Sequence, residues 1–230
     1  NVANGVLFCF LAGAMVTVSA TAVGVPFPGV KMPMFTDTMP TGLAWCVAVV
    51  VLGTLQTIVA VRGYSFVARV SHLAAPWMFL VFVACGLSAL PKLQALDVST
   101  IWTGVALGGK PPIGFTGIVL FAWLCNAAMH LGMSDLSIFR YARKPSYGWA
   151  SSAGMFLGHY VAWICASLLF AVELQQHGSN ASNAPGPMVF AATGWAGLVC
   201  VVVAGWTTAN PTIYRAGLAF QGVMPSISRN

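Results

Sequence analysis

Six stretches of this chain are each long and apolar enough to carry a helix across a hydrocarbon layer about 30 Å thick, which takes roughly 20 residues. They lie near Val6 to Val25, Gly42 to Val61, Leu73 to Leu90, Phe115 to Met133, Ser151 to Val172 and Met188 to Asn210. Barrel strands would instead alternate apolar and polar residues over about ten positions, whereas Cys46 to Leu55 and Leu198 to Ala204 are apolar on every side. Helices are therefore expected. With 58% of residues hydrophobic and only 6% charged, the chain is far from the soluble balance. It reads as an all-α, multi-pass integral membrane protein, a single transmembrane domain over residues 1–230.

The net charge of +6 raises the question of a nucleic-acid partner. The placement of the cations answers it. If the first segment runs outward, the connections holding Arg62 and Arg69, then Arg140, Arg143 and Lys144, then Arg215 and Arg229, fall on one side of the bilayer. That side is cytoplasmic by the positive-inside rule. The opposite loops carry Lys31, Lys92 and Lys110 against Asp37, Asp97 and Glu173, close to balance. Charge spread over separate connections makes no stripe that could track a phosphate backbone, so no nucleic acid is expected. The expected surroundings are a lipid bilayer, the plasma (inner) membrane.

Cys9, Cys46, Cys85, Cys125, Cys165 and Cys200 each lie inside an apolar segment without a CxxC pair, so buried free thiols are expected rather than a disulfide framework or a zinc site. No HExxH, GxSxG or paired intramembrane Asp is present, and enzymatic function is not expected. The chain starts without Met almost directly on an apolar segment and stops soon after another, as a piece of a longer protein would.

Polar residues at membrane depth carry a desolvation cost and so mark either function or helix pairing. In the fourth segment Trp123, Asn126 and His130 are spaced i, i+3 and i+7, presenting an indole, an amide and an imidazole on one helical face. Such a face could bind a flat polar heterocycle, the indole stacking and the amide pairing with a lactam edge. Alternatively Asn126 and His130 bond to neighbouring helices. In the sixth segment Ala204, Thr207 and Thr208 stack a carbonyl and two hydroxyls on one side, an oxygen set suited to a hard cation such as sodium. Pro211 leaves the Thr207 carbonyl without its usual amide partner. The bland alternative is that both hydroxyls bond back to their own helix. Asn210 could face substrate or cap the helix end. Gln56 could pair across helices, and Thr17, Ser19 and Thr21 are expected to be back-bonded. The Gly154 to Gly158 GxxxG suggests close helix packing.

The run from Gly205 through Trp206, Thr207, Thr208, Ala209, Asn210, Pro211, Thr212, Ile213, Tyr214, Arg215, Ala216 and Gly217 to Leu218, followed by Pro225 to Arg229, resembles the eighth helix and following loop of the nucleobase:cation symporters of the purine/cytosine permease and hydantoin/allantoin permease type. Asp135 to Lys144 resembles the stretch that ends their sixth helix, and Gly63 to Pro76 their connection between the fourth and fifth. The resemblance covers nearly the whole chain. It implies the twelve-helix, LeuT-like inverted-repeat fold, with this chain supplying helices three to eight. It also implies sodium ligation by the Ala204 carbonyl and the Thr207 and Thr208 hydroxyls. The family aromatic that stacks on hydantoin falls at Asn126, and the third-helix Trp and Gln are absent from Val6 to Val25.

The functional expectation is secondary active symport, coupled to sodium or protons, of a nucleobase or related small nitrogen heterocycle by alternating access. Trp123, Asn126, His130 and Asn210 would contact substrate, and Asp135 would pair with Arg140 or Arg143 at an inner gate. No other cofactor is expected. The rival expectation is a non-transporting membrane receptor or assembly subunit that keeps the bundle.

Overall fold

The computed structural model describes residues 2–31, 42–93, 116–117, 119–120, 123–124, 139, 142–178, 181–182, 184–224 and 226. Among them are five helices, each long and apolar enough to cross a membrane: α1 (Val2–Val23), α2 (Leu43–Val61), α3 (Tyr64–Leu93), α4 (Tyr147–His177) and α5 (Pro185–Gln221). They correspond to the first, second, third, fifth and sixth apolar segments. The fourth segment lies largely outside the described residues.

Helix ends depart most from expectation where polar residues flank an apolar run. α3 begins at Tyr64 rather than Leu73, so Arg69 and His72 lie inside its first turns. α5 continues through Pro211 to Gln221 rather than closing at Asn210. Proline removes one backbone donor but does not end a helix whose flanks are held by packing. Asn210 is therefore a mid-helix residue and not a cap. α2 and α3 are joined by a tight turn at Arg62 and Gly63, whose carbonyl accepts the amides of Phe66 at 3.1 Å and Val67 at 3.2 Å. Arg62 lies over the Phe66 ring, 5.3 Å from its centroid.

Helix directions follow from which residues meet. Along α1 and α5, a Cβ on Gly5 would meet the Phe220 ring and one on Gly205 would meet Met15 and Ser19, so the two run antiparallel. α3 and α5 are also antiparallel, with Tyr64 beside Tyr214, Met78 beside Cys200 and Thr207, and Cys85 beside Thr193. α3 and α4 run the same way, from the Gly86–Cys165 contact to the crevice shared by Lys92 and Gln176. These are the relations that alternating spans one, three, five and six require. They put Arg69, Arg143, Lys144 and Arg215 at one end of the bundle and Lys92, Glu173 and His177 at the other.

The core lies between α1, α3 and α5, where Ala22, Val81, Cys85, Val189, Leu198, Cys200 and Val201 are buried together, with Leu169 of α4 packed on it. By contrast α4 leaves Trp149, Phe156, Leu157, Trp163 and Ile164 exposed. In water such a face would be untenable, but lipid tails are as apolar as the side chains they meet.

Candidate functional site

α5 carries Thr193, Thr207, Thr208 and Asn210, and its first irregularity is Gly194, with φ 63° and ψ −144°. Only glycine takes that backbone at little cost, and it divides α5 into an opening stretch and a long main helix. Beside the break, the Thr193 hydroxyl donates to the Val189 carbonyl at 3.2 Å and lies 3.3 Å from the Cys85 sulfur. The sequence reading passed over this position.

A polar seam lies deeper. Gln56 Nε2 of α2 donates to Ser19 Oγ at 3.1 Å, and Ser19 Oγ donates to the Val202 carbonyl at 3.0 Å, tying α1, α2 and α5 together. Gln56 and Ser19 are both fully buried. The expected cross-helix role of Gln56 is met. Ser19 is not back-bonded as expected, because α5 approaches so closely at Gly205 that the Val202 carbonyl becomes its nearest acceptor. Thr17 and Thr21 do bond back, to Ala14 and Val18, and Thr21 also accepts the Gly186 amide from α5.

One turn on are Ala204, Thr207 and Thr208. Both hydroxyls donate to the Ala204 carbonyl, at 3.1 Å from Thr207 and 3.0 Å from Thr208, so the three oxygens converge. Each hydroxyl oxygen keeps lone pairs for a cation while its hydrogen is engaged. Hard cations gather about six oxygens or more, so this turn offers about half a site. Thr207 leans on α3, its hydroxyl 3.5 Å from the Met78 sulfur, whereas Thr208 is exposed. Among the described residues no group of three or more His, Cys, Asp or Glu could hold a metal.

Asn210 is fully buried, and neither its Oδ1 nor its Nδ2 has a hydrogen-bond partner among the described residues. Trp206 Nε1, one turn before it, and Gln56 Oε1 are in the same condition. A buried amide group left unmet costs about 1–3 kcal/mol, and such groups mark places where a ligand or water belongs. Asn210 follows Thr208 by two residues, about 200° around a helix of 3.6 residues per turn. The exposed hydroxyl and the buried amide therefore lie on nearly opposite sides of α5.

Trp123 is 72% exposed. Arg143 is exposed just before α4. Asn126, His130, Asp135 and Arg140 lie outside the described residues. Cys85, Cys165 and Cys200 are buried free thiols as expected, but Cys9 faces outward from α1. The signals that sequence reasoning missed were single residues, Ser19 and Gly194, each of a type too common in apolar helices to stand out. Comparison of the chain with protein-family models, with curated proteins and with solved structures finds no match.

Proposed function

We propose that this helix bundle belongs to a secondary active transporter, a cation-coupled symporter that moves a nucleobase or related small nitrogen heterocycle by alternating access, built on a LeuT-like inverted repeat. The observation that carries the reading is the pairing on α5 of a convergent oxygen cluster, Ala204, Thr207 and Thr208, with the buried Asn210, whose amide has no partner among the described residues. A buried amide at membrane depth with neither end met among the described residues is a place where a polar ligand can pair. In this proposal sodium, or in its place a proton, stabilises the substrate-binding conformation, and Asn210 pairs with the lactam edge of the heterocycle. Trp123 stacks on the ring, Asn126 and His130 complete the polar face, and Asp135 with Arg140 or Arg143 closes the inner gate of a plasma-membrane permease.

A second reading, a non-transporting receptor or assembly subunit, draws on the way both threonine hydroxyls already donate to Ala204 and on Asn126 standing where the resemblance has an aromatic ring. The two part in liposomes. Uptake of labelled nucleobases and hydantoins by the full-length protein is expected to need a sodium gradient, and Thr208→Ala to reduce the sodium-driven component at least about tenfold, the effect of losing roughly 1.4 kcal/mol of ion binding. Uptake indifferent to both sodium and Thr208 would remove the ion from α5. Saturable binding of the same compounds without uptake would favour the receptor.

A further inference from the structure

We infer that an open groove on α3, lined by Arg69, His72, Leu73 and Pro76, binds an anionic phospholipid of the leaflet on the cationic side of the bundle. The phosphate sits on Arg69 and His72, and one acyl chain runs past Leu73 and Pro76 to Leu80. The inference rests on the membrane-spanning bundle alone and not on the proposed transport activity.

The groove is shallow and open along the side of α3, with Ala68 completing its lining. Arg69, Leu73, Pro76 and Leu80 follow one another at i, i+4, i+7 and i+11, so they share a single helical face. That face is unpartnered among the described residues: Leu73 is 83% exposed and Leu80 64%. Its polarity changes where the lipid's must. The apolar segment begins at Leu73, which leaves Arg69 and His72 just outside the hydrocarbon at headgroup level. From Leu73 to Leu80 the helix rises about 10 Å, within the roughly 15 Å of hydrocarbon in one leaflet, and Arg69 lies one turn above it.

Charge decides which lipid. Arg69 presents a guanidinium suited to phosphate oxygens, and it has no hydrogen-bond or ion-pair partner among the described residues. Arg62, Arg143, Lys144 and Arg215 lie toward the same end of the bundle. Glu173, the one carboxylate among the described residues, closes α4 at the opposite end. An anionic headgroup answers the Arg69 charge, whereas a zwitterionic one brings its own ammonium beside it. Each surface Arg or Lys raises the affinity for an anionic lipid about fivefold.

The test is native mass spectrometry of the full-length protein, delipidated in neutral detergent and titrated with phosphatidylglycerol or phosphatidylcholine of matched chains. One phosphatidylglycerol is expected to be retained at least about fivefold more tightly than phosphatidylcholine. Arg69→Gln should abolish most of that preference, Arg69→Lys should keep it, and Arg143→Gln with Lys144→Gln should leave it unchanged. Arg69 is exposed, so Arg69→Gln is expected to elute as wild type does on size exclusion. Equal retention of the two lipids, or loss of preference in the Arg143 and Lys144 variant but not in Arg69→Gln, would overturn the site. Displacement of phosphatidylglycerol by millimolar inorganic phosphate would make it a site for free phosphate, which also overturns the lipid assignment.

Discussion

Gly205→Ala tests the contact on which the geometry of α5 depends. An ideal Cβ at position 205 would overlap Ser19 Oγ, and it would lie 2.6 Å from the Met15 carbonyl oxygen and 3.1 Å from the Ser19 nitrogen. The Ser19 hydroxyl can rotate away, but the Met15 carbonyl is backbone, so α1 and α5 must separate. Overpacking of this kind costs about 1–3 kcal/mol. Moving Ser19 also breaks its bond to the Val202 carbonyl and disturbs its bond from Gln56, a further loss of about 1 kcal/mol. The sum is roughly 2–4 kcal/mol, which for a chain of this size lowers the midpoint of thermal unfolding by about 5–15 °C. The assay is thermal denaturation of the purified protein in detergent, followed by size-exclusion fluorescence. Gly154→Ala and Gly158→Ala are the controls, since a Cβ at either position meets nothing within 4 Å among the described residues. Each should be neutral or stabilising, because alanine favours the helix by up to about 1 kcal/mol. A midpoint for Gly205→Ala equal to those of the controls would refute the close α1–α5 approach.

Asn210→Leu removes two buried polar atoms that have no partner among the described residues. It is expected to leave the midpoint unchanged or raise it, while lowering heterocycle uptake at least about tenfold; a drop of more than about 5 °C would mean that the amide is held by neighbouring groups. Cysteine accessibility checks the packing directly. A membrane-permeant maleimide should modify the exposed Cys9 within minutes, and reach Cys85 and Cys200, both fully buried, only after denaturation. Peptide mass spectrometry that found Cys200 labelled as fast as Cys9 would contradict the core between α3 and α5.

How much of this was legible in the sequence depended on whether a feature answered to lipid or to packing. Leu43 to Val61 matched its expected span almost to the residue, because both of its ends coincide with the edge of an apolar run. Tyr64 and Gln221 could not be read as helix ends, since hydropathy reports where hydrocarbon is needed and not where backbone hydrogen bonding stops. Gln56 was readable as a cross-helix group because an amide in an apolar span must find a partner somewhere. Its partner Ser19 was not, for that choice is made by how closely Gly205 lets α5 approach. Gly194 was missed for a related reason: it is one of 24 glycines, and only the backbone distinguishes it.

The oxygen cluster and Asn210 share one helix, but the Thr208 hydroxyl and the Asn210 amide face nearly opposite sides of it. Thr208 points to an open side of α5, while Asn210, about 200° away, is enclosed. Thr207 lies between them, one turn from Asn210, with its hydroxyl against Met78 of α3. A cation held at Thr208 and a heterocycle held at Asn210 would therefore influence each other through α5 rather than by touching. Such coupling is possible only if the helix has two positions with different affinities for each ligand. α5 is interrupted at Gly194 and again lacks a backbone donor at Pro211, so the segment between them is bounded by two weak points. At 1.5 Å per residue those points lie about 25 Å apart, within the thickness of a bilayer's hydrocarbon. Between them lie Gly205, Ala204, Thr207, Thr208 and Asn210, together with the acceptor of Ser19. A rigid tilt of this one segment would move the oxygen cluster and the amide together.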